Sequence, residues 1–175
     1  DALPTTAELL DSGARRARDP DSGPPGLRAR MLTAIARVHG LRAQYDRADP
    51  LLAEAVTLAR SDPGDEGEAL VEALLLQARL ASPLEAARLL ERVLADAQRM
   101  PALPPARVDR LRGDLALAYL SARQHARVLP LYEELLAARA ANRERDLLRY
   151  AIALANSAQN LVSLGHFAEA ERRFG

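Results

Sequence analysis

The feature that most constrains this chain is a repeat. Tyr45, Pro83, His125 and Phe167 stand at equivalent turns, 38, 42 and 42 residues apart. Pro130 likewise stands eighty residues after Pro50. Self-similarity at such a period marks stacked supersecondary units. A lone helix hairpin cannot bury its own apolar face, so each unit must lean on its neighbours.

The unit is clearest from Leu27 to Arg60. Leu32, Ile35, Val38 and His39 recur at helical spacing, and after a break so do Ala48, Leu52, Ala55 and Val56. That pattern predicts two amphipathic helices joined by a tight turn. Ala36 and Ala48 fall where the two helices press closest, and Tyr45 is placed to wedge between them. Pro50 is expected in about the first turn of the second helix, where it removes at most an early hydrogen bond. Further units are predicted at about 68–100, 106–141 and 143–175, the last incomplete, so the array occupies 27–175. The second is degenerate: gapless alignment puts Leu74 where the first has Ala36. Its second helix opens on Ser82-Pro83-Leu84-Glu85, a capping-box signature with Pro at the first helical position. Residues 1–26 form a leading helix and loop. Thr5 or Thr6 caps that helix, Glu8 lies in its first turn, and Leu9, Leu10, Ala14 and Ala17 make its apolar face.

Composition agrees. Apolar residues make up 49% of the chain but aromatics only 3%, so Ala and Leu dominate. This suits close-packed helices and yields an all-α fold, a superhelix of stacked antiparallel hairpins. The charges balance at 24 and 24, which disfavours a nucleic-acid partner. All the basic residues are Arg, as a GC-rich genome would produce. Without cysteine there is no thiol chemistry. No apolar run is long enough to span a bilayer, so this stretch makes no membrane contact of its own. The chain begins and ends abruptly, as a fragment would.

Three groups of residues resemble the tetratricopeptide repeat. Ile35, Ala36, Ala43, Tyr45, Ala48, Leu52 and Ala55 match in the first unit. Leu115, Ala116, Tyr119, His125, Val128, Tyr132 and Leu135 match more loosely in the third. Ala158, Leu161, Gly165, Phe167, Ala170 and Phe174 match in the fourth. The stretches 7–16, 28–38 and 45–52 also resemble the C-terminal repeat region of bacterial serine/threonine protein kinases. There a kinase domain and one membrane span often precede such repeats. The resemblance implies a bacterial signalling protein and leaves the side of the membrane open. No Gly-rich loop, His-Arg-Asp or Asp-Phe-Gly occurs, so any kinase activity would lie outside these residues.

No other catalytic or cofactor-binding pattern is visible. His39, His125 and His166 lack metal-ligand spacing and read as packing or surface residues. Asp65/Glu66 and Glu133/Glu134 are sequence neighbours that point apart on a helix, as solvated charge does. The expectation is a non-catalytic interaction module with no cofactor. In tetratricopeptide arrays the first helices line a concave groove for a peptide. The resemblance carries that role to Arg30, Thr33 and Arg37, to Arg110, Asp114 and Leu117, and to Asn156, Gln159 and Ser163. Arg can clamp a carboxylate and Asn or Gln can pair with peptide backbone. A solvated helix face is the plain alternative. The family's chaperone-type carboxylate clamp is absent, because its positions hold Thr33, Arg37, Glu72, Arg110 and Asp114. Two other functions fit the repeats: a small-molecule-sensing module of an ATPase-type transcription regulator, and a structural spacer. The incomplete last unit, with Phe167 and Phe174, is expected to promote self-association.

Overall fold

The computed structural model describes residues 3–62, 67–98, 100, 103–140 and 147–174. Among them are nine α-helices and no strand: α1 (Thr6–Arg18), α2 (Pro25–Leu41), α3 (Tyr45–Arg60), α4 (Glu68–Leu80), α5 (Pro83–Ala97), α6 (Pro105–Ser121), α7 (His125–Ala140), α8 (Leu147–Ser163) and α9 (Phe167–Phe174). The Asp65/Glu66 pair, the linker at 101–102 and the start of the fourth repeat near Arg143 lie outside the described residues. So does the side chain of Phe174.

The chain forms two compact units, one of Asp1–Ala81 with Ala95–Leu103, the other of Ser82–Leu94 with Pro104–Gly175. In the first, α1 packs on α2, α2 on α3, and α4 on both α2 and α3. In the second, α6 packs on α7, α7 on α8 and α8 on α9. Leu32, Ala36, Ala48 and Leu52 are fully buried in the first core, and Leu111, Ala116, Val128 and Leu161 in the second.

Three hairpin turns share one backbone design. Ala43, Arg123 and Gly165 each take positive φ, at 55°, 57° and 79°. The next residue then donates back across the helix end: Gln44 N to His39 O, Gln124 N to Tyr119 O, His166 N to Leu161 O. This is the Schellman closure, which satisfies carbonyls the helix leaves orphaned. It serves in place of the aromatic wedge expected at the first turn, since Tyr45 stays 48% exposed. The buried His39 adds an Nδ1 contact to Gln44 Oε1 at 2.9 Å. The α4–α5 connection differs: Ala81 is extended and no left-handed residue intervenes.

Capping anchors the first unit. Thr5 Oγ1 accepts from Glu8 N, and Glu8 Oε2 accepts from Thr5 N at 2.7 Å, a complete capping box. That backbone hydrogen bond also holds the Glu8 carboxyl below its usual range. Arg28 closes the far end of α1 by donating to Ala17 O and Arg18 O. Pro24 offers α2 no side-chain cap, and Asp62, just beyond α3, accepts from Gly26 N at 2.7 Å instead. A carboxylate there also complements the helix dipole.

Two local expectations are corrected. Leu9 is exposed, because α1 turns only Ala14 and Ala17 fully inward. Pro50 and Pro130 are each the sixth residue of their helices, past the first turn. Both are exposed, so the carbonyl each leaves unbonded can turn to water.

Candidate functional site

A cleft of about 240 Å³ opens in the second unit, lined by α6, α7 and α8. α6 contributes Ala106, Asp109, Arg110, Gly113, Asp114 and Leu117. Their three- and four-residue spacing places them on one helix face. Tyr132 and Leu135 of α7 and Ile152, Ala153 and Asn156 of α8 complete the wall. The cleft exists because α7 packs on both α6 and α8, while those two make no extensive contact with each other among the described residues.

Its charges are partly self-satisfied. Asp109 pairs with Arg112 at 3.0 Å, and Arg112 Nε reaches Glu134 at 3.0 Å, tying α6 to α7. Asp114 has an interaction of its own. Arg110 is exposed and has no ion-pair partner among the described residues. Tyr132 is 2% exposed, and its hydroxyl lies beside Asn156 without a well-formed hydrogen bond. Burial pushes its pKa up. Leu117 and Ile152 are each about half exposed on opposite helices of the cleft.

Of the nine groove residues expected from sequence, the structure brings together Arg110, Asp114, Leu117 and Asn156. Arg30 and Gln159 are exposed on α2 and α8 but do not line the cleft. Ser163 is also outside it and donates to Gln159 O at 3.1 Å. Thr33 is not a groove residue: it is buried, and its hydroxyl donates to Ala29 O at 2.8 Å. α4 packs against α2 there, so the position is interior. Arg37 is committed to Glu72 at 2.6 Å across the same pair of helices.

Sequence reasoning missed Gly113 and Ile152, and it read Tyr132 as a packing residue without placing it at a cleft wall. The available signal was Gly113, a glycine in mid-helix with no turn nearby. Outside the cleft lining, polar contacts tie the helices of the second unit together. Tyr119 donates to Glu91, Arg127 reaches Glu91 at 2.9 Å, and the Arg127 guanidinium lies 5.5 Å from the Tyr119 ring centroid. Burial, and then the Glu91 hydrogen bond, raise the Tyr119 pKa. Asn160, fully buried, donates to His125 O at 3.1 Å and meets His125 Nδ1 at the same distance. Arg173 of α9 donates to the buried Ser157 and to Glu133 of α7. No helix among the described residues is long and apolar enough to cross a membrane.

No family model matches the chain, and no curated protein matches it. Solved structures do. A protein from Podosopora anserina named for kinesin light chain, with nearly identical TPR-like repeats, superposes with a TM-score of 0.72 at 22% identity. The match covers 95% of this chain and 81% of that one. A substituted form of the same protein gives the same TM-score and coverage at 24% identity. The fold is that of TPR-like repeat proteins.

Proposed function

We propose that this chain is a non-catalytic protein-interaction module, and that the cleft between α6 and α8 is where it docks a peptide. The observation that carries this is the convergence of Arg110, Asp114, Leu117 and Asn156 on one concave surface. They combine a cation without an ion-pair partner among the described residues, apolar walls and an amide able to pair with peptide backbone. The cleft's size also favours a peptide. At about 240 Å³ it falls below the roughly 300–1,000 Å³ of clefts that enclose small ligands, and it suits a side chain entering from a longer partner.

The finer reading is that the module belongs to the regulatory repeat region of a bacterial serine/threonine kinase. Its support is the sequence resemblance at 7–16, 28–38 and 45–52. Two experiments test the proposal. Amide chemical-shift mapping of the ¹⁵N-labelled chain against a short-peptide library should move signals of α6 and α8. Shifts confined to α1–α4 would rule out this cleft. Reading the gene upstream of Asp1 should reveal a kinase domain followed by a membrane span, and a different catalytic domain there would end the kinase assignment.

A further inference from the structure

Gly113 lacks the structural reasons that hold other glycines of this chain in place. Gly23, Gly67 and Gly165 have φ of +129°, +86° and +79°, where a side chain is strained. A Cβ on Gly13 would lie 3.2 Å from Ile35, and one on Gly40 only 2.9 Å from Leu80. At Gly113 the backbone is helical, and a Cβ would meet nothing within 4 Å. A glycine in mid-helix weakens the helix relative to alanine, so this one is a cost that packing does not explain. Glycine is also the residue that lets another chain approach a backbone closely.

We propose that the open volume over Gly113 is an anchor seat, which receives one large apolar side chain of a docked peptide while a nearby carboxylate of that peptide pairs with Arg110. The inference rests on the peptide-docking reading and specifies the ligand's chemistry. Leu117 and Ile152 supply apolar walls, each half exposed and available to a guest side chain. Tyr132 and Leu135, both buried, form the α7 side of the seat. The charge preference follows from what is already paired. Arg112 neutralises Asp109, whereas Arg110 is exposed and has no ion-pair partner among the described residues. A carboxylate can bond a guanidinium through two parallel hydrogen bonds. The Tyr132 hydroxyl is a second pointer: it is buried at the cleft wall beside Asn156 without a well-formed hydrogen bond, and a peptide carbonyl arriving there would give it an acceptor.

The test uses the whole ¹⁵N-labelled chain and two sets of short synthetic peptides. One set places Leu, Ile or Phe within one helical turn of an Asp or Glu. The other is identical but has Lys at the acidic position. The acidic set should shift the Gly113 backbone amide and the Asn156 side-chain amide, and the Lys set should bind about tenfold more weakly or worse. Gly113→Met fills the seat and should cost about tenfold or more in affinity, as loss of an anchor does. Its helical circular dichroism and melting temperature should equal or exceed those of the parent. Arg110→Gln should erase the preference for the acidic set. If both sets bind the parent equally, or Gly113→Met keeps full affinity, the anchor proposal is overturned while peptide docking stands. If neither set moves any α6 or α8 amide, the anchor proposal falls, and if the broader peptide library moves none of them either, the docking reading falls with it.

Discussion

α2 and α6 start on Pro25 and Pro105, run for 17 residues each, and close on the same left-handed turn. They nonetheless serve opposite ends. α2 is sealed against α4, whereas α6 faces an open cleft. The difference lies in a few side chains at matched positions. Thr33 is buried where α6 has Gly113 beside empty space. Arg37 spans to Glu72 where α6 has the half-exposed Leu117. Gly40 lets Leu80 come within 2.9 Å of where its Cβ would stand. The partner helices differ as well. Ala69, Leu70, Val71, Ala73, Leu74, Leu75, Leu76 and Ala78 make α4 apolar on nearly every face, and such a helix belongs in a core. α8 instead leaves Leu148, Ile152 and Val162 exposed along one side. One repeat backbone can therefore make either a sealed wall or an open cleft, and side-chain content chooses.

That contrast can be broken at its strongest point first. Leu52→Ala removes a fully buried side chain from the first unit and should cost about 2–5 kcal/mol. Leu117→Ala in the cleft wall should stay within about 0.5 kcal/mol. Denaturant unfolding compares the two, and a large loss at Leu117 would mean the cleft is closed in solution.

Next comes the polar clasp of the second unit. Asn160→Ala leaves the part-buried His125 carbonyl and ring without their partner and should cost about 1–3 kcal/mol. The double variant Asn160→Ala with His125→Ala should cost less than the sum of the singles, since both singles remove the ring contact, while only Asn160→Ala also removes the bond to the backbone carbonyl.

A third pair reverses sign between the units. Gly113→Ala relieves a mid-helix glycine beside open space and should stabilise by about 0.5–1 kcal/mol. Gly40→Ala must push Leu80 aside, which offsets its helix gain, and should leave the protein less stable than Gly113→Ala by about 1 kcal/mol or more. Equal melting temperatures for the two variants would contradict the packing described.

The smallest effect is expected at the seal's rim. Arg37 and Glu72 are 53% and 37% exposed, so Arg37→Ala should change stability by about 0.5 kcal/mol or less, and less still in high salt. A larger, salt-independent loss would show that Arg37 acts through packing.

Much of the scaffold was legible because it is periodic. Most apolar spacing, Pro83 at the start of α5 and the Thr5–Glu8 signature are local features, and these appear where the pattern put them, whereas Pro25 and Pro105 open helices where a loop and a linker were expected. The turn chemistry was only half legible. Gly165 announces a left-handed residue, but Ala43 and Arg123 adopt the same conformation despite their side chains, because two backbone hydrogen bonds close each turn. The groove was legible as a helix face and illegible as a site. Spacing assigns Arg37 and Leu117 to the same repeat position, and nothing local distinguishes a residue facing a tight neighbour from one facing a gap.

By itself, then, the sequence determined an all-helical chain of hairpins, their order and the positions of most ends, since these depend on residues within a few places of one another. Only the tertiary structure decided which first-helix pair would close. That outcome depends on whether side chains some forty residues apart, such as Gly40 with Leu80, or Gly113 with no near neighbour, fit together or leave space.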